Sequence, residues 1–226
     1  MRTAASGNSL PCIITRYFCV VYLARANGIR LDPGLEETVH RMALADVIWR
    51  KPDGCQFIQG DSDEVDLRDK ITMGAWLFRD PVLKYAGFDR IDFEGAWDFG
   101  RKASLEYRSL PAEKPGFTSA CLKDSGNYYL RESWEENANL LHFPCGAMST
   151  GHCHGDKLHV DLILNGEDVL VDGGRSTYKD ILLRFELKGN MGHNTTIVDK
   201  KPFTTFTDSW DTRKLSLPVN RSFHTG

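Results

Sequence analysis

The chain has 226 residues, 41% of them hydrophobic, and a formal charge of −3. That length suits one large or two ordinary domains. So small a charge gives no general basic field for nucleic acid or another polyanion, which would have to be held by local Arg and Lys. No apolar run approaches the ~20 residues of a membrane span, and residues 1–8 lack the charged, apolar and cleavage regions of a signal peptide. The six cysteines form no Cys-x-x-Cys pair and leave the redox compartment open.

In chain order, the first half reads as helices. Ile13 to Ala26 is apolar and helix-like, with Asn27-Gly28 as its stop. Pro33 to Trp49 follows, with Leu35, Val39, Met42, Ala43 and Val47 at helical spacing and Glu36 and Glu37 in the first turn. Lys51-Pro52-Asp53-Gly54 is a turn, and Asp66 is placed to cap a third helix over Leu67 to Phe78. Helical character is weak from Asp80 to Phe88 and is lost near Pro111 and Pro115-Gly116, so the domain boundary is set there, dividing 1–115 from 116–226.

Beyond Phe117 the pattern turns to β. Tyr128 to Arg131 and Leu140 to Phe143 are short strand candidates. From Leu158 to Leu164 the residues alternate, with Leu158, Val160, Leu162 and Leu164 expected on one face and His159, Asp161 and Ile163 on the other. Asn165-Gly166 is a strong hairpin signal, followed by a strand from Glu167 to Asp172. His193 is expected to open a further strand over Asn194 to Val198. Short strands with Gly and Asn turns suggest a sandwich, which makes the whole an α+β, multidomain chain.

The segment Gly151 to Leu158 places His152, His154 and Asp156 within five positions. In an extended backbone the two imidazoles point to the same side. They would supply half of a transition-metal site, or a base beside a metal ligand. Asp172 and His193, at other strand ends, are placed to converge with them. The plainer alternative is a set of surface or hydrogen-bonded core histidines. Asp156 reads equally as a turn residue or as an acceptor that orients an imidazole, and Cys153 should face away from the pair.

A His-x-His-x-Asp-His run of the metallo-β-lactamase type does not fit, since Lys157 follows Asp156 and a strand rather than a helix comes next. From about Tyr22 to Trp210 the chain instead resembles the heparinase II/III-like polysaccharide lyases. The matching pieces are Arg25-Ala26-Asn27-Gly28, Pro52-Asp53-Gly54, Gly60-Asp61-Ser62-Asp63, Asp124 to Arg131, Gly151 to Leu158, and Val169 to Gly174. Tyr178, Arg184, His193-Asn194-Thr195 and Val198-Asp199 complete the set. Each is weak alone, and their order and spacing are specific.

The resemblance implies the last helices of an (α/α) toroid followed by a β-sandwich, with further toroid before Met1 and further strands after Gly226. It implies β-elimination at a uronic acid of an acidic polysaccharide, such as a glycosaminoglycan or alginate, in a periplasmic or secreted setting. His152 aligns with the catalytic His. His154, Asp172 and His193 align with ligands of one structural zinc ion, and Tyr178 and Arg184 with positions near the cleft, as catalytic and substrate-binding residues. A packed aromatic and a structural salt bridge are the plainer readings of those last two.

One departure matters. The family's catalytic Tyr falls near Ser9-Leu10, where no Tyr stands, and Tyr17 and Tyr22 are at the wrong spacing. Little or no turnover is therefore expected from this chain by itself. Three functions follow: a uronate lyase or part of one, a non-catalytic polysaccharide-binding or scaffold remnant, and, last, a metal-dependent glycan hydrolase.

Overall fold

The structure, a computed structural model, describes residues 10–148 and 151–224. It divides into two compact units. One is helical and comprises Leu10–Gln56 and Val65–Gly116. The other is mainly β and contains Phe117 onward together with Phe57–Glu64, a short segment that a single boundary near Pro115 does not provide for.

The helical unit holds α1 (Leu10–Ala26), α2 (Pro33–Trp49), α3 (Arg68–Phe78), α4 (Pro81–Ala86) and α5 (Phe93–Arg108). An aspartate caps the start of α2, α4 and α5. Asp32 caps α2 by accepting from Gly34 N at 2.7 Å, with Pro33 at the first helical position. Asp80 accepts from Val82 N and Leu83 N at the start of α4, and Asp92 from Gly95 N at the start of α5. Asp66 takes Arg68 N at 2.9 Å, and α3 begins one residue later than expected. Ile14, Phe18 and Val21 of α1 are buried, as are Val39, Ala43 and Val47 of α2. Tyr22 packs on Trp76 and Phe99 at 5.6 and 5.0 Å between ring centroids, which gives it a packing role. Tyr17 is partly exposed, and Ser9 lies outside the described residues. α5 is poorly defined in the sequence because Gly95 and Gly100 interrupt its pattern; Gly100, at φ +80, bends it.

The β unit is built on a five-stranded antiparallel meander: β1 (Ala120–Leu122), β2 (Asn127–Arg131), β3 (Leu140–Pro144), β4 (Asp161–Leu164) and β5 (Glu167–Leu170). The turn between β4 and β5 is Asn165-Gly166, with φ of +52 and +81, the double left-handed conformation of a type I′ hairpin. A short helix α6 (Leu182–Lys188), a 3₁₀ turn (Asn190–Gly192) and a two-stranded ribbon, β6 (Thr205–Phe206) with β7 (Thr212–Lys214), follow.

Two strand expectations need correction. β4 starts at Asp161, not Leu158, because Leu158 is left-handed at φ +61 and His159 N turns back to Asp156 O. Its buried side is Asp161 and Ile163, and Leu158 and Leu164 are exposed, so the two sets of residues separate as the alternation expects. Hydrogen bonding explains which set is buried, because Asp161 serves buried imidazoles from that side. Likewise, no strand runs from Asn194 to Val198. Asn194 donates its backbone N–H to the His159 ring, its carbonyl accepts from Val160 N, and its side-chain amide bonds Val160 O and Val171 O. The groups a ladder would need are engaged elsewhere.

Candidate functional site

The site lies within the β unit and centres on Asp61, a residue assigned no role in the sequence reading. Gly60 makes its position possible. At φ +61 the chain turns so tightly that a Cβ would stand 2.6 Å from the His152 carbonyl, to which Asp61 N donates at 3.1 Å. The Asp61 side chain then reaches both histidines of the His-x-His pair. His152 Nδ1 is 3.0 Å from Oδ2 and His154 Nε2 is 2.9 Å from Oδ1. Arg184 adds two hydrogen bonds, Nη1 to Oδ1 and Nη2 to Oδ2, the latter at 2.9 Å.

These contacts set the proton positions. A carboxylate only accepts, so the ring nitrogens facing it carry the protons. His152 Nε2 and His154 Nδ1 are left as bare lone pairs. Burial alone would raise the Asp61 carboxyl, but hydrogen bonds from His154, Arg184 and His152 outweigh it and hold the group well below the usual carboxylate range. Burial lowers His154 against the pull of Asp61, which favours its neutral form.

The two histidines face different surroundings. The His152 side chain is 43% exposed and that of His154 is fully buried. His152 meets Tyr178 and Trp210 edge-on, at 5.9 and 5.2 Å between centroids. Arg184 is 0% exposed and devotes its guanidinium to Asp61, the salt-bridge role. Tyr178 is 38% exposed, in the loop between β5 and α6.

The three expected metal ligands lie on loops rather than strand ends, with His193 next to both His154 and Asp172. His154 precedes β4, Asp172 follows β5, and His193 follows the 3₁₀ turn. The rings of His154 and His193 are 5.5 Å apart. His193 Nδ1 donates to Asp172 Oδ2 at 3.1 Å, and Asp172 Oδ1 accepts from Gly174 N. His154 Nδ1 and His193 Nε2 are buried without a hydrogen-bond partner. Two such lone pairs, each on a ring whose other nitrogen donates to a carboxylate, are what a nitrogen-ligated metal requires. By separation it is His159, not His154, that groups with Asp172 and His193, one donor atom of each lying within 4.8 Å of the others. However, its Nδ1 accepts from Asn194 N and its Nε2 faces Asp161 at 2.9 Å, so as placed it has no lone pair to give.

A second buried carboxylate, Asp161, was also missed. It accepts from His142 Nδ1 at 2.7 Å, from His159 Nε2 and from Asp172 N, and so ties the sheet to the Asp172 loop. Burial would raise its pKa, and the His142 and His159 hydrogen bonds bring it down instead. Asp156 bonds Lys157 at 3.4 Å rather than an imidazole. Cys153 is half-buried.

Comparison with known proteins bears on the family and the fold. The heparinase II/III-like C-terminal family model matches residues 114–225. The chain belongs, through that region, to the heparinase II/III-like family. Solved structures share its α+β fold of helices followed by an antiparallel sheet. A heparinase III gene product aligns at a TM-score of 0.70 and 19% identity over 87% of this chain. The heparan sulfate lyase HepC from Pedobacter heparinus aligns at 0.67 and 19% over 87%, and another heparinase III at 0.67 and 18% over 86%. The chain spans 29%, 30% and 31% of the lengths of those proteins, respectively. No curated protein sequence matches the chain. Among the described residues of this heparinase II/III-like chain, no helix is long and apolar enough to cross a membrane.

Proposed function

We propose that the β unit carries the histidine-bearing part of a polysaccharide lyase site that opens uronate-containing acidic glycans by β-elimination. The observation that carries this reading is the Asp61–His152 pair, with Nδ1–H held by a buried carboxylate and Nε2 bare on an exposed edge. His152 Nε2 takes the C5 proton of the uronate. The C5–H electron pair forms the C4=C5 double bond, the C4–O4 bond breaks, and O4 leaves with a proton. Tyr178, against the His152 ring, is the neighbouring phenol available to donate that proton. The family membership of residues 114–225 supports the reaction class, and the same kinship supports a periplasmic or secreted setting.

His154, Asp172 and His193 would hold one zinc ion, which, when bound, would fix the His154, Asp172 and His193 loops in register beside His152. The helical unit would be the closing part of a longer (α/α) toroid and the β unit the beginning of a sandwich. In support, α5 leaves Phe93 and Trp97 largely exposed, and β5 leaves Val169 exposed.

Because no Tyr stands near Ser9-Leu10, turnover by this chain alone should be weak. That same absence favours the second reading, a non-catalytic glycan-binding remnant. Ultraviolet absorbance of unsaturated product separates the two. With heparan sulfate, alginate or hyaluronan, a lyase gives a slow rise that falls about 10²–10⁴-fold in His152→Ala. A binding remnant gives none, and a metal hydrolase releases saturated sugars.

A further inference from the structure

The loop between β6 and β7 presents Trp210 next to His152 in an unusually constrained way. Trp210 is 49% exposed, yet its backbone is tied down on several sides. Asp208 Oδ1 accepts from Trp210 N at 2.7 Å and Asp211 N at 2.8 Å. Ser209 N donates to Asp180 Oδ1 at 2.7 Å, and Ser209 O accepts from the buried Lys188 Nζ at 2.6 Å and from Arg184 Nη2. On the His152 side, Gly151 packs so closely that a Cβ there would stand 2.6 Å from Trp210 O.

The ring itself is equally placed. Trp210 stacks on Tyr178 at 5.1 Å and 19°, and stands perpendicular to His152 at 5.2 Å and 89°. The Arg175 guanidinium lies 4.8 Å over Tyr178, and its side chain is partly exposed, donating to Asp61 O and to Asp63. An exposed aromatic face held in place offers apolar area that a ligand gains by covering. A rigid aromatic plane covers the C–H face of a sugar ring without ordering a flexible side chain, and a guanidinium beside it meets a carboxylate or sulfate in a fixed fork.

We propose that Trp210, backed by Tyr178, is a stacking platform for a sugar ring of an acidic glycan beside His152, with Arg175 at its rim meeting the acid group. This rests on the lyase reading for the identity of the glycan class, and it adds the surface that would position the ring. It also moves the acid-binding role from the buried Arg184 to Arg175.

The test is a titration of the ¹⁵N-labelled chain with oligosaccharides of heparan sulfate, alginate and hyaluronan, and with a neutral cello-oligosaccharide, at physiological salt. The Trp210 indole resonance is assigned by its loss in Trp210→Phe, and the amide spectra check that each variant is folded. One acidic glycan is expected to shift the Trp210 indole. Its affinity should fall about tenfold in Trp210→Ala and stay within about threefold in Trp210→Phe, which keeps an aromatic face. The neutral sugar should bind more weakly, and Arg175→Gln should remove that preference. If Trp210→Ala fails to fold, the indole shift and the Phe variant still decide. A Trp210 indole unmoved by all four sugars overturns the platform, as does undiminished affinity in folded Trp210→Ala. Binding through Trp210 without any unsaturated product sinks the lyase reading and leaves the platform standing. Unsaturated product at unchanged KM in Trp210→Ala does the reverse.

Discussion

At the scale of single residues, Asp61 organises the site. It lies 91 residues before His152 and 93 before His154, yet it fixes the tautomer of both and neutralises a buried Arg184. Asp61→Asn should therefore lose about 3–5 kcal/mol of stability, since it leaves Arg184 buried without its counter-charge; urea unfolding of the two proteins measures this. The pH dependence has a definite sign. The Asp61 pKa is lowered from its ordinary 3.8 in the fold, so its contribution is full above that value and is lost as pH falls through the lowered one. The urea midpoint of the wild type should drop between pH about 5 and pH about 2, and Asp61→Asn should lack that part of the acid limb. For the metal, zinc should raise the melting temperature of the wild type and of His159→Ala, and not of His154→Ala or His193→Ala. A zinc response lost only in His159→Ala would move the ligand role to that residue. The histidines were legible in the sequence because their chemistry is local, with a spacing that puts both on one side. Asp61 was visible only as part of a Gly-Asp-Ser-Asp match, because its role exists through a contact far along the chain.

Among the elements, those with strong local signals read true. α2 runs from Pro33 to Trp49 as its apolar spacing and its Pro start indicate, and the β4–β5 turn is Asn165-Gly166. Where a tertiary partner outweighs local pattern, the sequence misleads. The alternation over 158–164 does not say which face is buried; His142 and His159 draw Asp161 inward, and Leu158 and Leu164 are left exposed. His193 opens no strand, because Asn194 bonds the His159 ring and the Val160 and Val171 carbonyls. α6 left no sequence signal, its seven residues being too few to show a period. The turn itself gives an element-scale prediction. Gly166 sits at φ +81, and a Cβ would meet Glu136 O at 2.4 Å. Gly166→Ala should cost more than the ~1 kcal/mol typical of a left-handed glycine alone, read as a lower urea midpoint with an unchanged slope.

For the whole molecule, two units meet different demands. The helical unit is held by α1 to α5 and their caps, and the β unit carries every residue of the Asp61 site. The family bond runs through residues 114–225, and the fold resembles heparinase III structures over most of this chain while matching under a third of theirs. The division into helices and then strands was legible from the change of hydrophobic period near Pro115, and the attachment of 57–64 to the β unit was not, since nothing in its composition marks it. In the proposed reaction His152, keyed by Asp61, moves the proton in an elimination. The most direct measurement is ultraviolet absorbance of unsaturated uronate from this chain and from His152→Ala, each offered heparan sulfate, alginate and hyaluronan over long incubation. A slow rise with one glycan is expected from the wild type, reduced about 10²–10⁴-fold in His152→Ala. Saturated products, a rise undiminished in His152→Ala, or no rise dependent on His152 with any of the three would contradict the proposed reaction.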